Sequence, residues 1–259
     1  MATFLFDKIV FGPVKSRRLG VSLGINLLPL HRKICNFDCV YCECGLNTPG
    51  TSVDEKLPTR EMVSSALRQK LDEMKVNAQA PDVITFAGNG EPTIHPQFAG
   101  IIDDTIAVRD MYFPKAKISV LSNATMLHKQ DIVKALLKAD QSILKLDSGL
   151  ESSINHINQP AKSLSVSKLI DQFQQFKGKL IIQSLFTRGT IGNNKIDNTT
   201  EADITAWIES LKQIRPEMVM IYTIERDTPY EGLRKVPVDE LKAIAKLVNA
   251  IGINTQVNG

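Results

Sequence analysis

Outside residues 35–44 the chain has no cysteine. That absence excludes a disulfide framework, whose bridges staple distant segments together. No apolar run reaches the roughly 18 residues needed to span a membrane, so no membrane association is expected. The N-terminal Met-Ala-Thr-Phe-Leu-Phe-Asp carries no basic stretch ahead of a long apolar core, so no secretory signal is evident. Low-complexity tracts, clear repeats and Pro/Gly/Ser linkers are also missing, and nothing divides the chain. Charge of one sign is scarce: the net charge of +3 neither requires nor excludes a nucleic-acid partner. Free thiols in one cluster, with no export signal, fit a reducing cytoplasm.

What is present is an α/β pattern. The 259 residues are long for an ordinary domain but normal for one α/β barrel, and 43% apolar residues suffice for a full core. Short β-rich runs at 19–27, 83–87, 117–121, 142–147, 180–186 and 218–222 each precede a helical pattern or a loop leading to one. The helices are expected over 58–75, 96–108, 128–138, 150–157, 164–177, a segment capped by Thr200, and 237–250, and residues 254–257 read as a last strand. Six strand-then-helix units imply a parallel sheet with covering helices. In such sheets the ligand site lies at the C-terminal ends of the strands. The polar and Gly-rich residues gather there: Gly88 to Glu91, Ser122-Asn123, Lys145 and Asp147, Gln183 with Arg188, and Tyr222-Thr223.

All four cysteines lie in Cys35-Asn36-Phe37-Asp38-Cys39-Val40-Tyr41-Cys42-Glu43-Cys44, a loop that follows a strand end. Three readings of this cluster compete. Structural zinc usually pairs C-x2-4-C knuckles from separate segments, and wrapping four thiolates on one ion within ten residues would strain the loop. Incidental buried cysteines are common, though not in a cluster with none elsewhere. The third reading is an iron–sulfur cluster held by Cys35, Cys39 and Cys42 in C-x3-C-x2-C spacing. A [4Fe–4S] cube normally takes four thiolates, so three ligands would leave one iron open.

This motif, with an aromatic before its last cysteine and Gly88-Asn89-Gly90-Glu91-Pro92 at the end of the next strand, resembles the radical SAM superfamily. The resemblance implies a partial (β/α)6 TIM-like barrel of the radical SAM type, one domain over 1–259 with the cluster loop at 35–44. It also implies that S-adenosylmethionine chelates the open iron and is cleaved reductively to a 5′-deoxyadenosyl radical. By that likeness Tyr41 lies against the adenine. Gly88, Asn89, Gly90 and Glu91 bind the methionine amino group, the glycines letting carbonyls approach closely. Asn123 stands where ribose or carboxylate is bound, Lys145 and Asp147 alternate toward the same ligand, and Gln183 and Arg188 follow the fifth strand. Cys44 departs from the three-ligand pattern: it is a catalytic candidate, as a hydrogen-atom donor or a ligand poised near the substrate, with a small buried thiol as the plain alternative.

A narrower resemblance, to bacterial proteins grouped with wyosine synthetase, rests on four segments. They are Phe11-Gly12-Pro13-Val14-Lys15-Ser16-Arg17-Arg18-Leu19-Gly20, Ile154-Asn155-His156-Ile157-Asn158-Gln159-Pro160, the turn Asp197-Asn198-Thr199, and Tyr222-Thr223-Ile224-Glu225-Arg226-Asp227-Thr228-Pro229. Arg17 and Arg18 are candidates to hold a phosphate or carboxylate. The wyosine enzymes carry a second cluster on further N-terminal cysteines, and no cysteine precedes Cys35 here. The expected substrate is a small molecule, a nucleotide or an RNA base, and the expected electron donor a flavodoxin or ferredoxin. The alternatives are an activase that makes a glycyl radical on a partner protein, and a non-catalytic metal-binding module.

Overall fold

The computed structural model describes residues 4–16, 19–48 and 56–259. Two antiparallel strands open it, β1 (Val10–Ser16) and β2 (Gly20–Ile25), with Val10 opposite Ile25. The cluster loop follows, then α1 (Arg60–Val76), whose start is capped by the Thr59 hydroxyl accepting the Met62 N–H at 3.3 Å. Its buried residues Val63, Leu67, Leu71 and Met74 recur at helical spacing and turn one face inward. Then come β3 (Val83–Phe86), α2 (Phe98–Tyr112), β4 (Lys117–Ser122), α3 (Gln130–Lys138), β5 (Gln141–Lys145), α4 (Glu151–Ile157) and α5 (Val166–Gln174). The chain ends with β6 (Ile181–Ile191), β7 (Asn194–Asp197), α6 (Glu201–Ile214), β8 (Met218–Thr223), β9 (Leu233–Lys235), α7 (Val238–Ala250) and β10 (Asn254–Asn258).

The sheet runs in the order β1-β2-β3-β4-β5-β6-β8-β10. Every pair from β2 to β10 is parallel. All four residues of β3 are buried, as expected for a strand covered on both faces. Strands β1 and β10 are the two ends of the order, so the sheet curls as a partial, open TIM-like barrel. The helices cover its outer face through an apolar core in which Trp207 of α6 meets the Phe186 ring edge-on at 5.2 Å.

The six expected parallel strands form, and β10 adds a seventh beside β8. Three strands have no counterpart in the apolar pattern. In β1 the pair Gly12-Pro13 interrupts the alternation, and the register shifts between Phe11 and Val14. Proline is tolerated there because β1 is an edge strand with a bulge. The second half of β6 runs past the sheet and pairs antiparallel with β7 and β9. Those residues are polar and half-exposed, so periodicity gave no signal for them. Helix α5 is shorter than its apolar pattern implies. Among the described residues no helix is long and apolar enough to cross a membrane.

Candidate functional site

The cluster loop is sewn to the rim of the sheet by backbone bonds. The Ile34 N–H donates to the Asn89 carbonyl at 2.9 Å and the Glu91 N–H to the Ile34 carbonyl at 3.1 Å. On the other side, Val40 N–H donates to the Ile157 carbonyl at 2.8 Å and Asp38 N–H to the Gln159 carbonyl at 3.2 Å. The first seam needs its glycine. Gly90 has φ +136°, and a Cβ there would lie 1.8 Å from the Ile34 carbonyl oxygen.

The four thiols are free and line one cleft of about 300 Å³ at the C-terminal ends of the strands. Side-chain amides from two other rim loops are aimed at two of the sulfurs. Asn123 Nδ2 stands 3.5 Å from Cys35 Sγ, and Asn158 Nδ2 stands 3.3 Å from Cys39 Sγ. The Phe37 N–H also points at Cys35 Sγ, at 3.4 Å. Donors of this kind favour a thiolate. Burial opposes it: the Cys35 thiol is pushed up by burial and then by Glu91, and the Cys39 thiol is pushed up to about 11 by burial. Cys42 is lowered to about 6, chiefly by a hydrogen bond from Cys44 and against burial, with Lys33 assisting. The same Cys42 contact, with burial, raises the Cys44 thiol, whose Sγ also lies 3.4 Å from the Gly88 carbonyl oxygen.

Among the described residues, no three His, Cys, Asp or Glu side chains converge on a single metal-ion position. A tetrathiolate zinc site needs all its sulfurs about 2.3 Å from one ion. An iron–sulfur cube binds each thiolate to a different iron and does not require convergence. The N–H donors on sulfur and the shared cleft suit the donor set to such a group.

Of the residues singled out in the sequence, Cys35, Cys39, Tyr41, Cys42, Cys44, Gly88, Gly90, Glu91, Asn123, Lys145 and Gln183 line the cleft. Three do not. The Asn89 side chain turns away from it, accepting from the Phe6 N–H at 2.8 Å and donating to the Phe6 and Pro29 carbonyls. It ties down the N-terminal segment, so only its backbone belongs to the rim. Asp147 lies past the end of β5 and turns beneath Tyr41 instead of alternating into the cleft with Lys145. Its carboxylate accepts from the Tyr41 hydroxyl, from Asn158 Nδ2 at 2.7 Å and from the Leu185 N–H at 2.8 Å. Burial and then Asp147 raise the Tyr41 phenol well above its ordinary value. Arg188 is five residues beyond Gln183 along β6, about 16 Å of extended chain. An odd offset also puts it on the opposite face. It pairs with Glu240 of α7 instead. Arg17 and Arg18 lie outside the described residues.

Two of the lining groups are already engaged. Glu91 is 2% exposed, and its oxygens accept from Ser122 Oγ at 2.8 Å, the Asn123 N–H at 2.6 Å and the Thr93 N–H at 3.1 Å. Burial raises its pKa despite these donors. Lys145 Nζ lies over the rings of Tyr41 and Tyr222, 5.2 and 5.7 Å from their centroids, and donates to Tyr222 Oη at 3.2 Å. Burial acts to lower its pKa, but Asp147 and Tyr222 outweigh that and raise it.

Sequence reasoning missed Lys33, Asp38, Asn47 and Asn158 as site residues. Asn158 lies in one of the segments that carry the narrower resemblance, but nothing in its spacing marks a sulfur donor. Because Arg188 faces away from the cleft, Arg188→Met is expected to leave cofactor cleavage within about twofold of the parent and to cost at most about 1 kcal/mol through its half-exposed ion pair. The yield of 5′-deoxyadenosine and thermal unfolding check both halves of that statement.

The model of the radical SAM superfamily matches residues 30–153, which contain the thiols and the 88–91 loop. Residues 30–153 thus carry a radical SAM domain. Members of this superfamily are enzymes that use S-adenosylmethionine and an iron–sulfur cluster, with a reductant and a substrate. The chain belongs to the UPF0026 family: a UPF0026 protein of Synechocystis sp. is 30% identical over 229 residues, covering 86% of this chain and 77% of that one. A protein named GTPase Obg in Brachyspira hyodysenteriae is 30% identical over 252 residues, covering 95% of this chain, but the chain spans only 34% of its length. A radical SAM methyltransferase from Sphaerobacter thermophilus superposes with a TM-score of 0.67 at 12% identity, over 92% of this chain and 65% of that one, a likeness of fold alone.

Proposed function

We propose that residues 1–259 form one radical SAM core domain that holds a [4Fe–4S] cluster on Cys35, Cys39 and Cys42, with S-adenosylmethionine on the fourth iron. When bound, these groups supply reductive cleavage of the sulfonium–C5′ bond, giving a 5′-deoxyadenosyl radical that abstracts hydrogen from the substrate. The observation that carries this reading is that the three thiols, two of them with amide donors, share one cleft with Gly88, Gly90 and Lys145.

The chain's own residues do the positioning. Gly88 and Gly90 line the cleft, and their backbone carbonyls are the candidates to receive an ammonium. Lys145, a cation 16% exposed in its side chain, suits a carboxylate. Tyr41 offers a ring fixed from below by Asp147 and suited to stack on adenine. Gln183 and Tyr222 complete the wall toward the substrate. Asn123 supports Cys35 and Asn158 supports Cys39, as groups outside a ligand set commonly do. The substrate is a small molecule, a nucleotide or an RNA base, and the reductant a flavodoxin or ferredoxin of the cytoplasm.

Anaerobic reconstitution of the protein should give about four irons per chain. Dithionite reduction with S-adenosylmethionine should then yield 5′-deoxyadenosine. Uptake of one zinc per chain and no iron would sink the proposal.

A further inference from the structure

Lys33 lines the same cleft as the thiols, yet its side chain is only 2% exposed. Its Nζ donates to Asp38 Oδ1 at 3.0 Å and to the Gly45 carbonyl at 2.9 Å. An ammonium has three N–H donors, so one is left over at the cleft that Cys35 and Cys42 also line. Asp38 in turn is held by Asn47. Asp38 Oδ1 accepts from the Asn47 N–H at 2.8 Å and from Asn47 Nδ2 at 2.9 Å. Asn47 then grips the backbone of Cys35 from both sides, accepting its N–H at 3.0 Å and donating to its carbonyl at 2.8 Å.

The arrangement closes the thiol loop with a knot whose centre is a cation. Burying an ammonium is costly unless it is compensated. Its one carboxylate partner is 31% exposed and so partly hydrated. Neutral thiols would offer the remaining face little. Metal-bound thiolates would offer negative charge.

We infer that Lys33 is a positioning residue that keeps a fixed positive charge against the cluster-bearing thiolates and thereby raises the reduction potential of the group they hold, with Asp38 partly offsetting that charge. This rests on the proposed function. Net charge and hydrogen bonds around the sulfurs are what set such potentials, and adding an electron beside a cation is favoured over adding it without one.

The test is a potentiometric titration of the anaerobically reconstituted full chain, followed spectroscopically, with iron counted per chain. Lys33→Met should still load iron, with its reduction equilibrium at least about tenfold less favourable, a fall of about 59 mV for one electron. Lys33→Arg should fall less than half as far. Asp38→Asn should move the opposite way, upward, because the cation then lacks its counter-charge. A role in loop structure alone would move Lys33→Met and Asp38→Asn together, and that result overturns the inference, as does an unchanged potential in Lys33→Met. If Lys33→Met takes up no iron, the Asp38→Asn shift decides: upward supports the inference, downward or absent overturns it. A parent protein that takes up no iron sinks the proposed function instead.

Discussion

Cys39→Ala loses its iron and forms no detectable 5′-deoxyadenosine. Cys39 is 8% exposed and sits at the centre of the loop, its sulfur facing Asn158 Nδ2. Replacing groups that merely support a metal ligand costs about 10–100-fold in affinity or activity. Deleting one of the three proposed ligands should cost more than that, so the expected fall in cleavage exceeds about 100-fold. Binding a metal requires the thiolate and releases its proton. Burial holds the free Cys39 thiol up at about 11, so an alanine removes a group that is anionic only when metal is present. The metal-free variant should therefore melt close to its parent, which separates loss of the cluster from loss of the fold. Cys44→Ala is the contrast. Its Sγ lies beside Cys42 and 3.4 Å from the Gly88 carbonyl oxygen, and it falls outside the C-x3-C-x2-C spacing. Iron content and cofactor cleavage should survive in that variant. Loss of iron in Cys44→Ala would mean a four-thiolate site and no open iron. If cleavage survives but product is lost, Cys44 acts on the substrate.

The features legible in the sequence were those that leave a repeating or clustered trace. Continuous apolar runs such as Val83-Ile84-Thr85-Phe86 announce buried parallel strands, and the ten-residue thiol cluster announces its own loop. The rim followed, because βα units put their polar residues at strand ends. What failed failed for local geometric reasons. The alternation expected of Lys145 and Asp147 holds only while the strand lasts, and β5 stops at Lys145. Gln183 and Arg188 were grouped because both were read as following the fifth strand, although five residues of extended chain set them far apart on opposite faces. Lys33 and Asn47 flank the thiols in sequence without any motif. Their role comes from the loop folding back on itself, a contact between positions 47 and 35 that no periodicity encodes.

Asp147→Ala should destabilise the metal-free protein by about 3–5 kcal/mol, the range for removing one partner of a buried charged network. For a chain of this size that corresponds to a melting temperature lower by on the order of 10 °C. The loss comes from what is left behind. The Tyr41 hydroxyl, Asn158 Nδ2 and the Leu185 N–H all donate to this one carboxylate, and it lies 3.5 Å from Lys145 Nζ. Each would be buried without its acceptor, and an unpaired buried donor costs about 1–3 kcal/mol. Two further variants apportion the effect. Tyr41→Phe removes one donor and keeps the ring, so it should cost only about 1 kcal/mol. Lys145→Met removes the cation but leaves the carboxylate with its three other donors, and should fall between the two. A loss below about 1 kcal/mol in Asp147→Ala would show that the network is not what fixes Tyr41. The functional consequence follows from the same contacts. Asn158 reaches the Cys39 sulfur, the Tyr41 hydroxyl and the Asp147 carboxylate at 3.3, 3.2 and 2.7 Å. One side-chain amide thus joins a thiol of the proposed cluster to the ring proposed to stack on adenine. Removing Asp147 should loosen both at once: S-adenosylmethionine binding to the loaded protein should weaken in Asp147→Ala more than in Lys145→Met, if the ring contributes more to binding than the cation does. The reverse order would assign the larger share to Lys145 and its carboxylate partner.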